Sequence, residues 1–114
     1  MKIGQLIPCP TKLETFKRNR ERYIPNTPGC YVLTNFSREV LYIGLSVNLR
    51  RRINEHLDNP EKTSETKTGR AVLFFWVEAL ESEINKIERT WLNIHIQQEG
   101  IVPILNKVYS PVSA

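Results

Sequence analysis

The chain has 114 residues, 40% of them hydrophobic, with 16 Lys/Arg against 12 Asp/Glu and a formal net charge of +4. That length suits one compact domain and leaves no room for a second. No apolar run approaches the roughly 20 residues a membrane span needs, and the opening MKIGQLIPCPTKLETF lacks a secretory apolar core, so the expectation is a soluble, cytoplasmic protein with no membrane partner.

The positive charge is local. Residues 1–57 hold ten Lys/Arg against four Asp/Glu, and the remainder holds six against eight. A basic half beside a mildly acidic half points to one face that meets phosphate. The two cysteines, Cys9 and Cys30, have neither metal-ligand spacing nor the density of a disulfide scaffold, and read as buried thiols.

Thr11 and Glu14 have the spacing of a capping box and predict a helix from about Lys12 to Arg22, with Leu13 and Phe16 turned inward. Its other faces carry Lys17, Arg18, Arg20 and Arg22, which are either ordinary solvated residues or contacts to nucleic-acid phosphates. Pro25-Asn26-Thr27-Pro28-Gly29 is turn chemistry that ends the helix.

Cys30 to Asn35 and Glu39 to Gly44 read as an antiparallel hairpin with a short connection. An even loop sets Tyr31 directly opposite Tyr42, with both rings on one face; a bulge would break that register. Ser46 is the expected N-cap of a following helix, in which Leu49, Ile53 and Leu57 recur at helical spacing until Asp58-Asn59-Pro60 stops the run. Arg52 and His56 lie four apart and share a side of that helix, beside its apolar stripe. Arg50 and Arg51 are candidates for phosphate contacts or for pairing with neighbours such as Glu55.

Residues 58–70 contain no large apolar side chain and read as a mobile loop. Ala71 to Ala79 is the most apolar run and predicts a strand buried on both faces. A helix of about 18 residues follows from Glu81, with Leu80, Ile84, Ile87, Trp91 and Ile94 as its inner stripe. Glu88 falls about 40° to one side of Ile84, at the edge of the buried face, where a carboxylate needs a cation, a metal or water. His95 shares that edge and reads as a helix residue satisfied by Glu88 or solvent. Trp76 and Trp91 read as core, and an extended segment holding Pro103 and Asn106 closes the chain.

Two tyrosines on one sheet face, Arg52 and His56 on the next helix and Glu88 on a later one are the parts that phosphodiester hydrolysis needs. A single carboxylate can hold Mg²⁺ when phosphate and water fill the other positions. A guanidinium offers phosphate a two-pronged donor, and a tyrosine whose pKa is lowered by nearby cations can take a proton from water. Gly44, next to a helix start, offers backbone amides to an anion.

Gly29-Cys30-Tyr31, then Tyr42-Ile43-Gly44, Ser46, Asn48-Leu49 and Arg52, with Glu88 and Pro103-Ile104-Leu105-Asn106 downstream, resembles the GIY-YIG nuclease signature. The resemblance covers residues 24–109, leaving a basic N-terminal extension at 1–23 and a tail at 110–114. It implies an α+β fold, a small three-stranded antiparallel sheet flanked by helices, and metal-assisted cleavage of nucleic acid with Mg²⁺ or Mn²⁺. By position, Tyr31 resembles the proposed general base and Tyr42 the tyrosine that places water or phosphate. Arg52 resembles the arginine on the scissile phosphate, and His56 a position often held by His or Tyr. Glu88 resembles the metal-binding glutamate, and Asn106 the asparagine that supports the site. Cys30 replaces the usual Ile or Val. Thr34 stands where some members carry a lysine, so that His56 or the metal would have to assist Tyr31. DNA is the expected partner of an endonuclease, and specificity would come from loops such as residues 58–70, the N-terminal helix, a homodimer or a partner such as a larger complex. The alternatives are a binding module without cleavage and a subunit with little activity alone.

Overall fold

The computed structural model of the chain describes residues 1–106; the expected domain end at 109 and the tail 110–114 lie outside them. Strands β1 (Lys12–Thr15), β2 (Gly29–Thr34) and β3 (Val40–Ser46) are followed by helices α1 (Leu49–Leu57) and α2 (Pro60–Thr63), strand β4 (Leu73–Glu78) and helix α3 (Ile84–Glu99). The sheet is antiparallel with order β1-β4-β2-β3, so β2 and β4 are internal and β3 is an edge.

Apolar side chains cover both faces. On one, Leu49 and Ile53 of α1 pack with Tyr31, Leu33, Phe74 and Trp76. On the other, Ile84 and Trp91 of α3 pack with Cys30, Val32, Ile43 and Phe75. Alternate residues of β2 thus feed opposite layers, as the two-residue strand period requires, and all six of its residues are buried. Trp91 Nε1 donates to the Pro8 carbonyl at 2.9 Å, which satisfies its one polar atom inside the core.

The N-terminal helix expected over 12–22 is not present. Lys12 to Thr15 instead pair with Trp76 to Leu73, giving four strands rather than three. An unpaired β4 edge would leave backbone donors and acceptors without partners, and β1 satisfies them. Glu14 does not cap a helix: its Oε2 accepts from Thr15 N at 2.9 Å and from Arg20 Nε at 2.8 Å. Residues 21–23 form a single 3-10 turn.

Three further expectations change. Residues 58–70, expected to be a loop throughout, include the short helix α2, where Asn59 caps with its side chain and Pro60 takes the first turn. Asn-Pro therefore begins a helix here as well as ending one, since Pro has no N–H to leave unpaired at that position. Leu80 is 68% exposed and belongs to no inner stripe, because α3 starts only at Ile84. Cys30 is buried but Cys9 is exposed.

Candidate functional site

The hairpin brings the two tyrosines together by a different register from the one expected. Tyr31 pairs with Gly44 and Leu33 with Tyr42, and the register slips between Leu33 and Thr34, which leaves Leu41 as the extra residue of a bulge. The phenol rings therefore meet diagonally, with centroids 5.9 Å apart, and still share a face. Gly44 makes the approach possible. A Cβ there would stand 2.6 Å from the Tyr31 ring and hydroxyl and 2.8 Å from the Tyr42 ring. Its function in the site is to be absent in bulk. It lies within β3 rather than at a helix start, because α1 begins at Leu49 with Asn48 as N-cap, accepting from Arg51 N at 3.0 Å. Ser46 is not the cap; its Oγ accepts from Asn48 N at 2.9 Å and donates to Asn48 O at 2.8 Å, which tightens the link into the helix.

From α1, Leu49 and Ile53 enter the core and His56 follows one turn later, also buried. Its Nε2 stands 2.5 Å from the Tyr31 hydroxyl. Burial, aided by the charges of Lys62 and Arg52, pulls the His56 pKa down to about 3, so at neutral pH the imidazole is uncharged and can accept the phenol's proton in a hydrogen bond. Tyr31 stacks on Phe74, with centroids 5.0 Å apart and planes 9° from parallel. Contrary to the expected lowering, burial pushes the Tyr31 pKa well above 10, with Arg52 only partly offsetting it. Desolvation of a phenolate outweighs one nearby guanidinium.

Arg52 is placed beside these rings and keeps donors in reserve. Its Nη1 donates to the Leu45 carbonyl at 3.4 Å. Its Nε lies 2.8 Å from Glu55 Oε1 but out of line for a hydrogen bond.

The edge of β3 is where the two layers meet. A cavity of about 340 Å³ opens there, lined by Tyr42, Lys62, Glu88, Leu92, Val102 and Asn106. Asn106 acts as a substitute strand: its Oδ1 accepts from Ile43 N and its Nδ2 donates to Ile43 O, both at 2.9 Å. The Leu41 carbonyl, beside the bulge, takes Leu105 N at 2.9 Å. Edge groups that water would otherwise hold are thus fixed by the chain's own end.

Glu88 is half-buried on α3, and burial raises its pKa against a small pull from Arg89. No side-chain ion pair neutralises it among the described residues. No group of three or more His, Cys, Asp or Glu is placed to hold a metal among those residues. A cation at Glu88 would therefore rest on one protein carboxylate, a donor that suits Mg²⁺ when water and phosphate complete the shell. His95 does not meet Glu88; its Nδ1 is 2.6 Å from the Ile101 carbonyl. Cys30 donates to the Ile84 carbonyl, and burial pushes its thiol up to about 12, well out of the nucleophilic range.

Sequence reasoning missed Lys62, because a segment without large apolar residues gave no sign of packing. It is 7% exposed, and its Nζ sits 4.9 Å from the centroid of the Tyr42 ring. The signal that would have found it is Asn59-Pro60 read as a helix start.

The other basic residues are spread over the surface. Arg18 pairs with Asp58, Arg20 with Glu14, and Arg51 with Glu55 at 3.7 Å. Arg50 donates to the Ile24 and Arg22 carbonyls at 2.7 and 3.1 Å, a staple between α1 and the preceding turn. Lys17 and Arg22 are exposed, with Arg22 stacked 5.4 Å from the Tyr23 ring centroid.

A family model described as the GIY-YIG catalytic domain matches residues 27–99. Among curated proteins, the UvrABC system protein C of Mesoplasma florum is 24% identical over 94 residues, 81% of this chain and 16% of that protein. The protein of the same name from Caldicellulosiruptor saccharolyticus is 36% identical over 44 residues, 39% of this chain and 7% of its own length. A Mycobacterium tuberculosis protein whose name describes a bifunctional exonuclease/endonuclease is 32% identical over 60 residues, 53% of this chain and 9% of that protein. The chain thus spans less than a fifth of the length of these relatives.

Proposed function

The chain belongs to the GIY-YIG family, a family of nuclease domains, and from that premise we propose that it cleaves the phosphodiester backbone of DNA as an endonuclease, with Mg²⁺ or Mn²⁺. The observation that carries this reading is the 2.5 Å contact between the Tyr31 hydroxyl and a neutral His56, in a site that also holds Arg52 and an unpaired Glu88.

Tyr31 is a phenol at rest, and so cannot by itself take a proton. As a water attacks phosphorus, its proton passes to the Tyr31 oxygen while the phenol's own proton moves to His56 Nε2. The pair accepts one proton in all, and no phenolate is formed in the buried site. Burial and the Lys62 and Arg52 charges oppose the imidazolium, and the negative charge of the phosphate offsets them. Arg52 presents its remaining N–H donors to the phosphate oxygens, with a fork that matches them in pairs. Tyr42 borders the cavity and orients what enters it. Glu88 is the residue that would hold the divalent ion, which when bound supplies Lewis-acid stabilisation of charge on the phosphate.

A second element of the reading is that a partner, a second copy or a larger complex contributes to recognition of the substrate. Incubating the protein with labelled duplex, single-stranded and branched DNA and with RNA, in Mg²⁺, Mn²⁺ or EDTA, tests the proposal. DNA should be cut in either metal and spared in EDTA. Binding without cleavage under every condition would leave a binding module, and cleavage confined to RNA would overturn the choice of substrate.

A further inference from the structure

A lysine on a short helix beside a solvent-facing loop normally extends its ammonium group into water. Lys62 does not. The Asn59 side chain accepts from Glu61 N at 2.9 Å, Lys62 N donates to the Asn59 carbonyl at 2.9 Å, and Asn59 N donates to the His56 carbonyl at 3.0 Å. This ladder hangs α2 directly from the end of α1 that carries His56 and folds Lys62 back over the site. The residue is buried, lines the same cavity as Glu88 and Asn106, and holds its ammonium over the face of Tyr42. Among the described residues it has neither an ion pair nor a side-chain hydrogen bond; Glu88, across the cavity, lies beyond ion-pair distance.

An ammonium on a buried stem that opens on a cavity, with only an aromatic face beside it in the protein, keeps its donors free for what enters. The cavity places it next to Tyr42, and an anion is what both the charge and the space accommodate. We propose that Lys62 is a catalytic residue that binds a non-bridging oxygen of the scissile phosphodiester, a second cation on the phosphate besides Arg52. The assignment rests on the nuclease reading above. A phosphodiester carries one negative charge in the ground state and gains a second as water adds to phosphorus. A fixed cation in a partly desolvated site therefore stabilises the transition state more than the bound substrate. Thr34 leaves β2 without a lysine, and α2 supplies the missing cation from another part of the chain.

Lys62→Met keeps the packed stem and removes the charge, and Lys62→Arg keeps both charge and stem. Steady-state cleavage of duplex DNA in Mg²⁺, thermal melting, and binding in EDTA on each preparation separate the possible roles. The expected result is a Lys62→Met protein that melts with the parent and has an unchanged KM, with kcat lowered about 100-fold, the loss typical of one oxyanion donor. Lys62→Arg should recover much of that loss. Parental kcat in Lys62→Met would overturn the assignment. A fall in melting temperature that accompanies the loss of cleavage, with both restored by Lys62→Arg, would overturn it in favour of a structural cation. A parent protein that cleaves nothing defeats the nuclease reading and this one together, whereas a cleaving parent with an equally active Lys62→Met defeats only the role of Lys62.

Discussion

The charges of this domain divide into two regions that treat their partners differently. Along the basic N-terminal segment and the outer side of α1, arginines are satisfied within the chain: Arg18 by Asp58, Arg20 by Glu14, Arg50 by two carbonyls. At the edge of β3 the opposite holds. Among the described residues Lys62 and Glu88 share one cavity without pairing, while Arg52, ion-paired with Glu55, keeps an Nε that makes no hydrogen bond. The contrast matters because exposed pairs change stability by about 0–1 kcal/mol, while unpaired, partly buried charges are costly unless a ligand completes them. Count alone would have pointed to the arginine-rich surface; burial and pairing are the grounds on which the proposal turns to the cavity.

Three experiments sharpen or break that contrast. The largest effect is expected at Arg52. Arg52→Lys retains charge but loses the paired donors, so cleavage should slow about 100-fold while DNA binding stays near parental. Parental cleavage rates in that variant would reduce Arg52 to the electrostatic status of the outer arginines.

An intermediate effect should appear in the pH dependence of stability. His56 is neutral in the folded protein down to about pH 3, while in the unfolded chain it takes a proton below about pH 6.5. The unfolded state therefore binds more protons in that window, so stability rises with pH there, is fully present above about 6.5 and is lost as the pH falls toward 3. His56→Gln should show a shallower fall in melting temperature between these limits than the parent. Glu14 and Glu78, held below the usual carboxylate range by Arg20 and Lys12 respectively, also lose stability in acid, but they do so in both proteins and cancel from the difference. Parallel melting curves would mean that His56 is not the buried neutral base the geometry describes.

The smallest effect belongs to the surface. Arg18→Ala removes an exposed pair and should move stability by no more than about 0.5 kcal/mol. Its other expected consequence is a change of about 0.9 in the log-log salt dependence of duplex binding if it leaves its carboxylate for a phosphate. An unchanged slope would assign Arg18 wholly to its pairing with Asp58.

Much of the site was legible because its residues sit on elements with strong local signals. The period-two runs of β2 and β3 placed Tyr31 and Tyr42 on one face, and the Leu49/Ile53 stripe placed His56 and Arg52 beside them. Glu88 followed from its angle on α3. The failures each have a local cause. Thr11-Glu14 fits a capping box, yet the free edge of β4 recruits that segment as β1, a tertiary demand that no short window displays. Thr34 pairs with Val40 rather than Glu39, and the bulge at Leu41 adds a second residue of slip, so the tyrosine pairing shifts by two without changing the face. Lys62 was invisible because α2 contains no apolar residue, and the direction of the Tyr31 pKa depends on burial that spacing does not reveal.

Glu88→Gln tests the central claim most directly, that the unpaired charges at the β3 edge exist for substrate and metal rather than for the fold. The substitution keeps the size of the side chain and removes the charge that would recruit a divalent ion. Melting, DNA binding in EDTA and Mg²⁺-dependent cleavage should be measured on one preparation. The account predicts parental melting, binding that holds or tightens as an anion leaves the phosphate-facing cavity, and a collapse of cleavage; full cleavage by a stable Glu88→Gln protein would contradict it.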